Sequence, residues 1–284
     1  MKKLFKKDKK LFINVTLLAF LILSAFLAPL IAKVVSLDPE KIDLVDRFAS
    51  PSLRHLLGSD DLGRDIFIRI LFAGRISLFF AFILTFVSIS FGTLLGILSG
   101  YLGGKVDYSI MRITDALSSL PILPIMIIFS AIDLNKIFGE ESMGLNDQAV
   151  VKIFTIILFF SWINVTSLIR GEVMKIRTTE YITAVRSQGG SDFRIMFFHV
   201  LPNVFTPILS IMSVSLSSTI LYESTLSFLG LGIKPPSPSL GNMLSNSIEF
   251  MHSSPWLALF PGLVIFFVVY SLNTIAEKIK RRIA

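Results

Sequence analysis

The sequence predicts an all-α polytopic membrane protein with six transmembrane helices. Three observations carry that expectation. The 284 residues are 53% apolar and only 17% charged, with 26 Phe. A soluble domain carries roughly 25% charge, so this chain has too few charges to cover a water-facing surface. Apolar stretches recur at the length a bilayer requires, about 20 residues each. Finally, Lys and Arg gather in alternate connecting segments, as cytoplasmic loops do.

Taken in order, residues 11–32 give the first span, uncharged throughout. It follows a basic start (Lys2, Lys3, Lys6, Lys7, Lys9, Lys10) and exceeds the 7–15 residues of a signal h-region. A retained anchor is expected. Residues 76–98 form an uncharged second span. The third, 110–132, carries Arg112, Asp115, Pro121 and Pro124. The two prolines predict a kink, and Arg112 with Asp115 predicts a local ion pair on one helix face. Residues 153–169 are flanked by Lys152 and Arg170. Span five, 204–221, holds five Ser, with Glu223 just beyond, and span six is 256–275.

Placing the N-terminus in the cytoplasm puts 17 of the 27 Lys and Arg inside. Inside segments then sum to +10 and outside segments to −3, so the basic balance is a matter of topology and not of nucleic-acid affinity. Both termini are expected inside. The outer loops run from 33 to 70, from 133 to 150 with Asp133, Glu140, Glu141 and Asp147 against Lys136, and from 232 to 255. In the last, Pro235, Pro236 and Pro238 stop a helix and predict an extended run.

Chemistry of its own is not visible in the chain. There is no Cys, and His55, His199 and His252 are scattered, which leaves no catalytic set and no metal site. Gly103-Gly104-Lys105-Val106 fails the phosphate-loop pattern, because Ser99 and Val106 stand where Gly and Ser or Thr are required. Asp60, Asp61, Arg64 and Asp65 fit two readings equally, a charged face toward an arriving ligand or a folded loop. Glu223 and the helical stripe Ser210, Ser213 and Ser217, from whose centre Ser215 and Ser218 point away, are candidates for a polar pathway. The alternatives are an interfacial Glu and small residues that let helices pack closely.

The inner loop at 170–202 is the most patterned segment. Glu180, Tyr181, Ile182, Thr183, Ala184, Val185 and Arg186 have amphipathic helical spacing, with Ile182, Val185 and Gly189 on one side. Gly189-Gly190 breaks that helix, Ser191-Asp192 offers N-caps for another, and Leu201-Pro202 predicts a bend into span five.

Gly189, His199, Leu201 and Pro202 have the spacing of the E-A-A-x3-G-x9-I-x-L-P loop of permeases in bacterial ATP-binding-cassette importers. Thr183, Val185 and His199 depart from that pattern, while Ala184, Gly189, Leu201 and Pro202 keep it. The segment 55–65, Gly74-Arg75-Ile76-Ser77-Leu78, the segment 223–232 and His199-Val200-Leu201-Pro202-Asn203 resemble the oligopeptide/dipeptide permeases, and the chain looks like the second permease of such a pair.

The resemblance implies a type I importer permease fold with both termini cytoplasmic, in the bacterial cytoplasmic membrane. Residues 1–70 would be an anchor and outer loop, and 71–284 a five-helix core. It implies a homologous second permease, two ATPase subunits that hold ATP and Mg, an extracytoplasmic peptide-binding protein and the lipid bilayer as partners, with no nucleic acid and no cofactor in this chain. Glu180, Tyr181, Ile182, Thr183, Ala184, Val185, Gly189 and Asp192 would couple to the ATPase. The apolar Ile182 and Val185, with Tyr181, are expected in a partner groove. Import of another solute, such as nickel or a glycoside, is the alternative within the family. An ion-coupled secondary transporter and a purely structural membrane protein are the alternatives outside it.

Overall fold

The computed structural model describes residues 9–130, 132 and 145–281. Helix α1 (Lys9–Phe26) and helix α2 (Ala28–Val35) make up the first expected span, interrupted at Leu27. Pro29 has no N–H for the carbonyl of Ala25, which explains the interruption. Helix α3 (Ile66–Leu102) has 37 residues, or about 55 Å at 1.5 Å per residue. It starts ten residues before the expected span because Asp65 caps it, accepting from the Ile68 amide at 3.0 Å. The buried Arg69 inside its first turn is neutralised by Asp60 at 3.5 Å and bonded to the Pro39 carbonyl at 2.9 Å.

Helix α4 (Gly104–Ser118) and helix α5 (Ile122–Ser130) meet at a bend of 75°. The kink expected from Pro121 is therefore a full break, because Pro121 starts α5 and disfavours helical geometry at Leu120. The expected pair Arg112–Asp115 does not form. Arg112 instead reaches the hydroxyl of Tyr108 at 3.3 Å and lies over its ring.

Helix α6 (Leu145–Arg177) takes up the end of the expected second outer loop; Asp133, Lys136, Glu140 and Glu141 lie outside the described residues. Helix α7 (Glu180–Ser187) and the short helix α8 (Asp192–Ile195) form the inner loop. A π-turn, Met196–Val200, joins α8 to helix α9 (Leu201–Phe228) without a bend at Pro202. Pro202 sits in the first turn, where its missing N–H is tolerated, and the wide turn lets the Leu201 amide reach the carbonyl of Met196. The third outer loop is not extended throughout. It contains helix α10 (Leu240–Ser247), started by a reciprocal cap between Ser239 and Asn242. Helix α11 (Trp256–Lys280) ends the bundle.

Among the described residues, α1, α3, α6, α8 with α9, and α11 are long and apolar enough to cross a membrane, and α4 with α5 adds a sixth if the bent pair is one span. Phe20, Phe79, Phe86 and Phe266 are more than half exposed on these helices. Such an apolar exterior suits lipid and not water.

The tightest seam joins α3 to α6. A Cβ on Gly92, Gly96 or Gly100 would come within 2.8 Å of Val165, Ile169 or Val173. Three glycines four apart thus put two backbones in near contact, the small-residue packing that membrane helices favour. Anchor α1 lies on α3 and α11, where its buried Asn14 accepts from Ser271 at 3.3 Å.

Candidate coupling loop and translocation cleft

Helix α7 is closed by a Schellman turn. The Gly189 amide bonds the Arg186 carbonyl at 3.0 Å and the Gly190 amide bonds the Val185 carbonyl at 3.2 Å. Gly189 has φ +83°, the left-handed conformation that glycine adopts at little cost. Ser191 then caps α8, accepting from the Arg194 amide. Helix, glycine turn and second helix are thus where the sequence puts them.

The apolar face of α7 is spent inside the chain. Ile182 is 1% exposed and packs with Val173, Ile195, Met196 and Val200, with Val185 beside them. This corrects the expectation that both would fill a partner groove. The periodicity marks the buried stripe correctly, but the inner ends of α3, α6 and α9 cover it. What stays bare is Glu180, Thr183, Ala184 and Ser187, an i, i+3, i+4, i+7 row, with Tyr181 at its flank. Tyr181 also meets His199, hydroxyl to Nδ1, at 2.5 Å.

The loop is tied to the inner end of α3 through Tyr101, which the sequence did not single out. Its hydroxyl donates to Asp192 Oδ1 at 2.9 Å and accepts from Arg186 Nη2 at 3.0 Å. The bond to Tyr101 holds the Arg186 guanidinium above its ordinary pKa. Residues 91 apart leave no periodic trace, so no local signal marks this contact.

A cavity of about 720 Å³ opens between α4, α6 and α9. Its polar lining comes from Ser161 and Asn164 on α6 and from Ser210, Ser215 and Ser218 on α9, with Glu172, Lys175 and Lys280 at the inner mouth. Ser213 and Ser217 are not part of it. Each bonds the carbonyl four residues back, Leu209 and Ser213 respectively, and Ser217 is buried. Of the expected stripe, Ser210 lines the cavity, together with Ser215 and Ser218, which by periodicity point away from the stripe's centre. Ser161 and Asn164 were legible as an i, i+3 polar pair in the fourth span, and were missed.

Glu223 is also outside the cavity. It is 2% exposed, takes a bond from Ser77 on α3 at 2.8 Å and another from Ser227 at 2.9 Å, and so latches α9 to α3. Ser227 in turn accepts from the Ile233 amide at 3.3 Å.

In the outer loop the charged residues hold one another. Arg64 pairs with Asp60 at 2.7 Å, and His55 bridges Asp65 at 2.9 Å and Asp46 at 3.3 Å. Arg64, Asp60 and Asp65 are each less than 9% exposed. Of the two readings, the folded loop is the one observed.

Comparisons with known proteins agree with this architecture. The sequence model of the family described as "Binding-protein-dependent transport system inner membrane component" matches residues 92–284. Among curated relatives, the dipeptide transport system permease protein DppC of Alkalihalophilus pseudofirmus is 35% identical over 98% of this chain and 86% of its own length. The oligopeptide transport system permease protein OppC of Bacillus subtilis is 31% identical over 97% of this chain and 85% of its own. The glutathione transport system permease protein GsiD of Pectobacterium atrosepticum is 38% identical over 81% of this chain and 72% of its own.

Among solved structures, the inward-facing MetNI methionine ABC transporter aligns with a TM-score of 0.53 at 18% identity, over 73% of this chain and 94% of that one, which supports the fold. On the family match and the near full-length relatives together, this multi-pass membrane protein belongs to the binding-protein-dependent transport system inner membrane component family.

Proposed function

We propose that the chain is the membrane-spanning permease subunit of an ATP-binding-cassette importer that moves oligopeptides or dipeptides across the bacterial cytoplasmic membrane. One observation carries this reading: relatives named as dipeptide and oligopeptide permeases align over 97–98% of the chain, from α1 through the coupling loop to α11. The subunit performs no chemistry itself. A homologous permease completes the pathway, two ATPase subunits bind ATP and Mg beneath it, and an extracytoplasmic binding protein delivers substrate.

The bare row of α7 is the surface offered to an ATPase. Its residues Thr183, Ala184 and Ser187 are small and let a groove approach closely, while Glu180 sets register at the rim. The cavity, with hydroxyl and amide groups from α6 and α9, suits a solute with a polar backbone and varied side chains.

The test is uptake by the chain co-assembled with its second permease, ATPases and binding protein in proteoliposomes. ATP-dependent uptake of dipeptide, and cross-linking of Ala184→Cys to an ATPase subunit, are the expected results. Uptake of nickel or a glycoside in place of peptide, or ion-driven uptake by the chain alone, would overturn the reading.

A further inference from the structure

We propose that Tyr101 is the positioning residue through which α3 follows the coupling helix, its hydroxyl acting as the joint between the two. The inference rests on the coupling role given to α7 above.

Tyr101 is the last residue but one of α3 and is 2% exposed. Its hydroxyl uses its one hydrogen on Asp192, the first residue of α8, and a lone pair on Arg186, in the last turn of α7. The Arg186 guanidinium also sits 5.3 Å from the centre of the Tyr101 ring. One atom therefore clasps both sides of the Gly189–Gly190 turn. The turn itself is open: Ser187, Gln188 and Gly189 are exposed, and a Cβ added to Gly189 would meet nothing within 4 Å.

Three routes lead out of the coupling loop. Two are covalent, through Thr178 and Thr179 into α6 and through the π-turn into α9. The third is this hydroxyl, into α3. Helix α3 is a rod of 37 residues, seamed to α6 by glycines, whose outer half carries Ser77 and its bond to Glu223. Glu223 accepts from Ser227, which holds the Ile233 amide at the start of the third outer loop. A displacement of α7 passed to Tyr101 thus reaches the third outer loop through a single continuous helix. Without the hydroxyl, α7 keeps its apolar packing through Ile182, but the polar tie that binds α3 to both sides of the Gly189–Gly190 turn is gone.

The test measures ATP hydrolysis and uptake of radiolabelled dialanine in the same proteoliposomes, with the whole transporter assembled. Tyr101→Phe keeps the ring and removes both bonds. Both bonds join the hydroxyl to a charged group, the stronger kind of hydrogen bond, so the ratio of ATP hydrolysed to peptide imported should rise at least about fivefold. Asp192→Ala, at an exposed position, should raise the ratio in the same direction. Asp192→Asn, which keeps an oxygen for the hydroxyl, should restore most of the coupling.

A ratio that stays at the wild-type value in Tyr101→Phe and Asp192→Ala overturns the proposal, including the case where hydrolysis and uptake fall in parallel, as a general loss of structure would cause. Absence of ATP-driven dialanine uptake in the wild-type transporter would instead overturn the peptide-importer reading itself.

Discussion

Arg170 grips Asp107 with two parallel bonds, Nε to Oδ1 at 2.5 Å and Nη2 to Oδ2 at 2.6 Å, and so fastens the start of α4 to α6. Ser99, on the last turn of α3, donates to the same carboxylate. Three helices meet on one Asp at the inner face. Bidentate charge-assisted geometry is the strong form of such a pair, and it forms between helices here, whereas the local pair expected from Arg112 and Asp115 does not form.

Asp107→Ala should therefore lower thermal stability in detergent. The two side chains are 28% and 22% exposed. The cost should fall below that of a fully buried pair, at about 1–2 kcal/mol. Asp107→Asn, which still accepts from Ser99, should cost less. Equal unfolding midpoints for Asp107→Ala and wild type would show that the pair contributes nothing.

Gly96→Val should disrupt the α3–α6 seam. Its Cβ would lie 2.8 Å from the Cβ of Ile169 and 2.9 Å from the Thr166 carbonyl, and backbone cannot retreat as a side-chain tip can. Overpacking costs about 1–3 kcal/mol even for smaller insertions. The expected readout is loss of monodisperse protein on size exclusion, against wild-type behaviour for Gly171→Ala, which meets nothing within 4 Å.

Gly189→Val places a branched side chain in the left-handed region at φ +83°, at a cost of about 1–2 kcal/mol or more. Nothing crowds the site, so the strain is local to the turn. Membrane insertion should persist while ATP-dependent uptake drops. Wild-type uptake by this variant would separate the turn from coupling.

Glu223→Ala should loosen the outer contact of α3 with α9. It removes the acceptor for both Ser77 and Ser227 and leaves two buried hydroxyls without it, at about 1–3 kcal/mol. Glu223→Gln keeps one oxygen and should fall between. A cysteine at this position should resist membrane-impermeant maleimide, since Glu223 is 2% exposed and outside the cleft. Rapid labelling would return it to the pathway.

The spans were legible because bilayer thickness writes itself into apolar run length, and residues 76–98, 153–169 and 256–275 all fall within observed helices. Their ends were less so. Asp65 extends α3 outward through a cap, and Arg69 is tolerated in its first turn only because Asp60 neutralises it.

In the coupling loop, periodicity singled out Ile182 and Val185 as a buried stripe, yet periodicity cannot say which surface does the burying. Helix α10 was hidden behind three prolines, although Ser239 and Asn242 spell its cap. Ser210, Ser213 and Ser217 share a face by periodicity, yet only Ser210 lines the cleft, while Tyr101, 91 residues from Asp192, carried no pattern at all.

The π-turn at 196–200 has one consequence for the whole of α9. It holds one residue more than an α-helical turn, and each residue advances a helix by about 100°. That surplus residue shifts the phase of α9 relative to α8, and Ser215 and Ser218 line the cleft in that phase. Deleting one residue there would restore ordinary winding and swing those hydroxyls out of alignment, so the chemistry of the passage depends on a phase error near the cytoplasmic edge, far from any group a solute would touch.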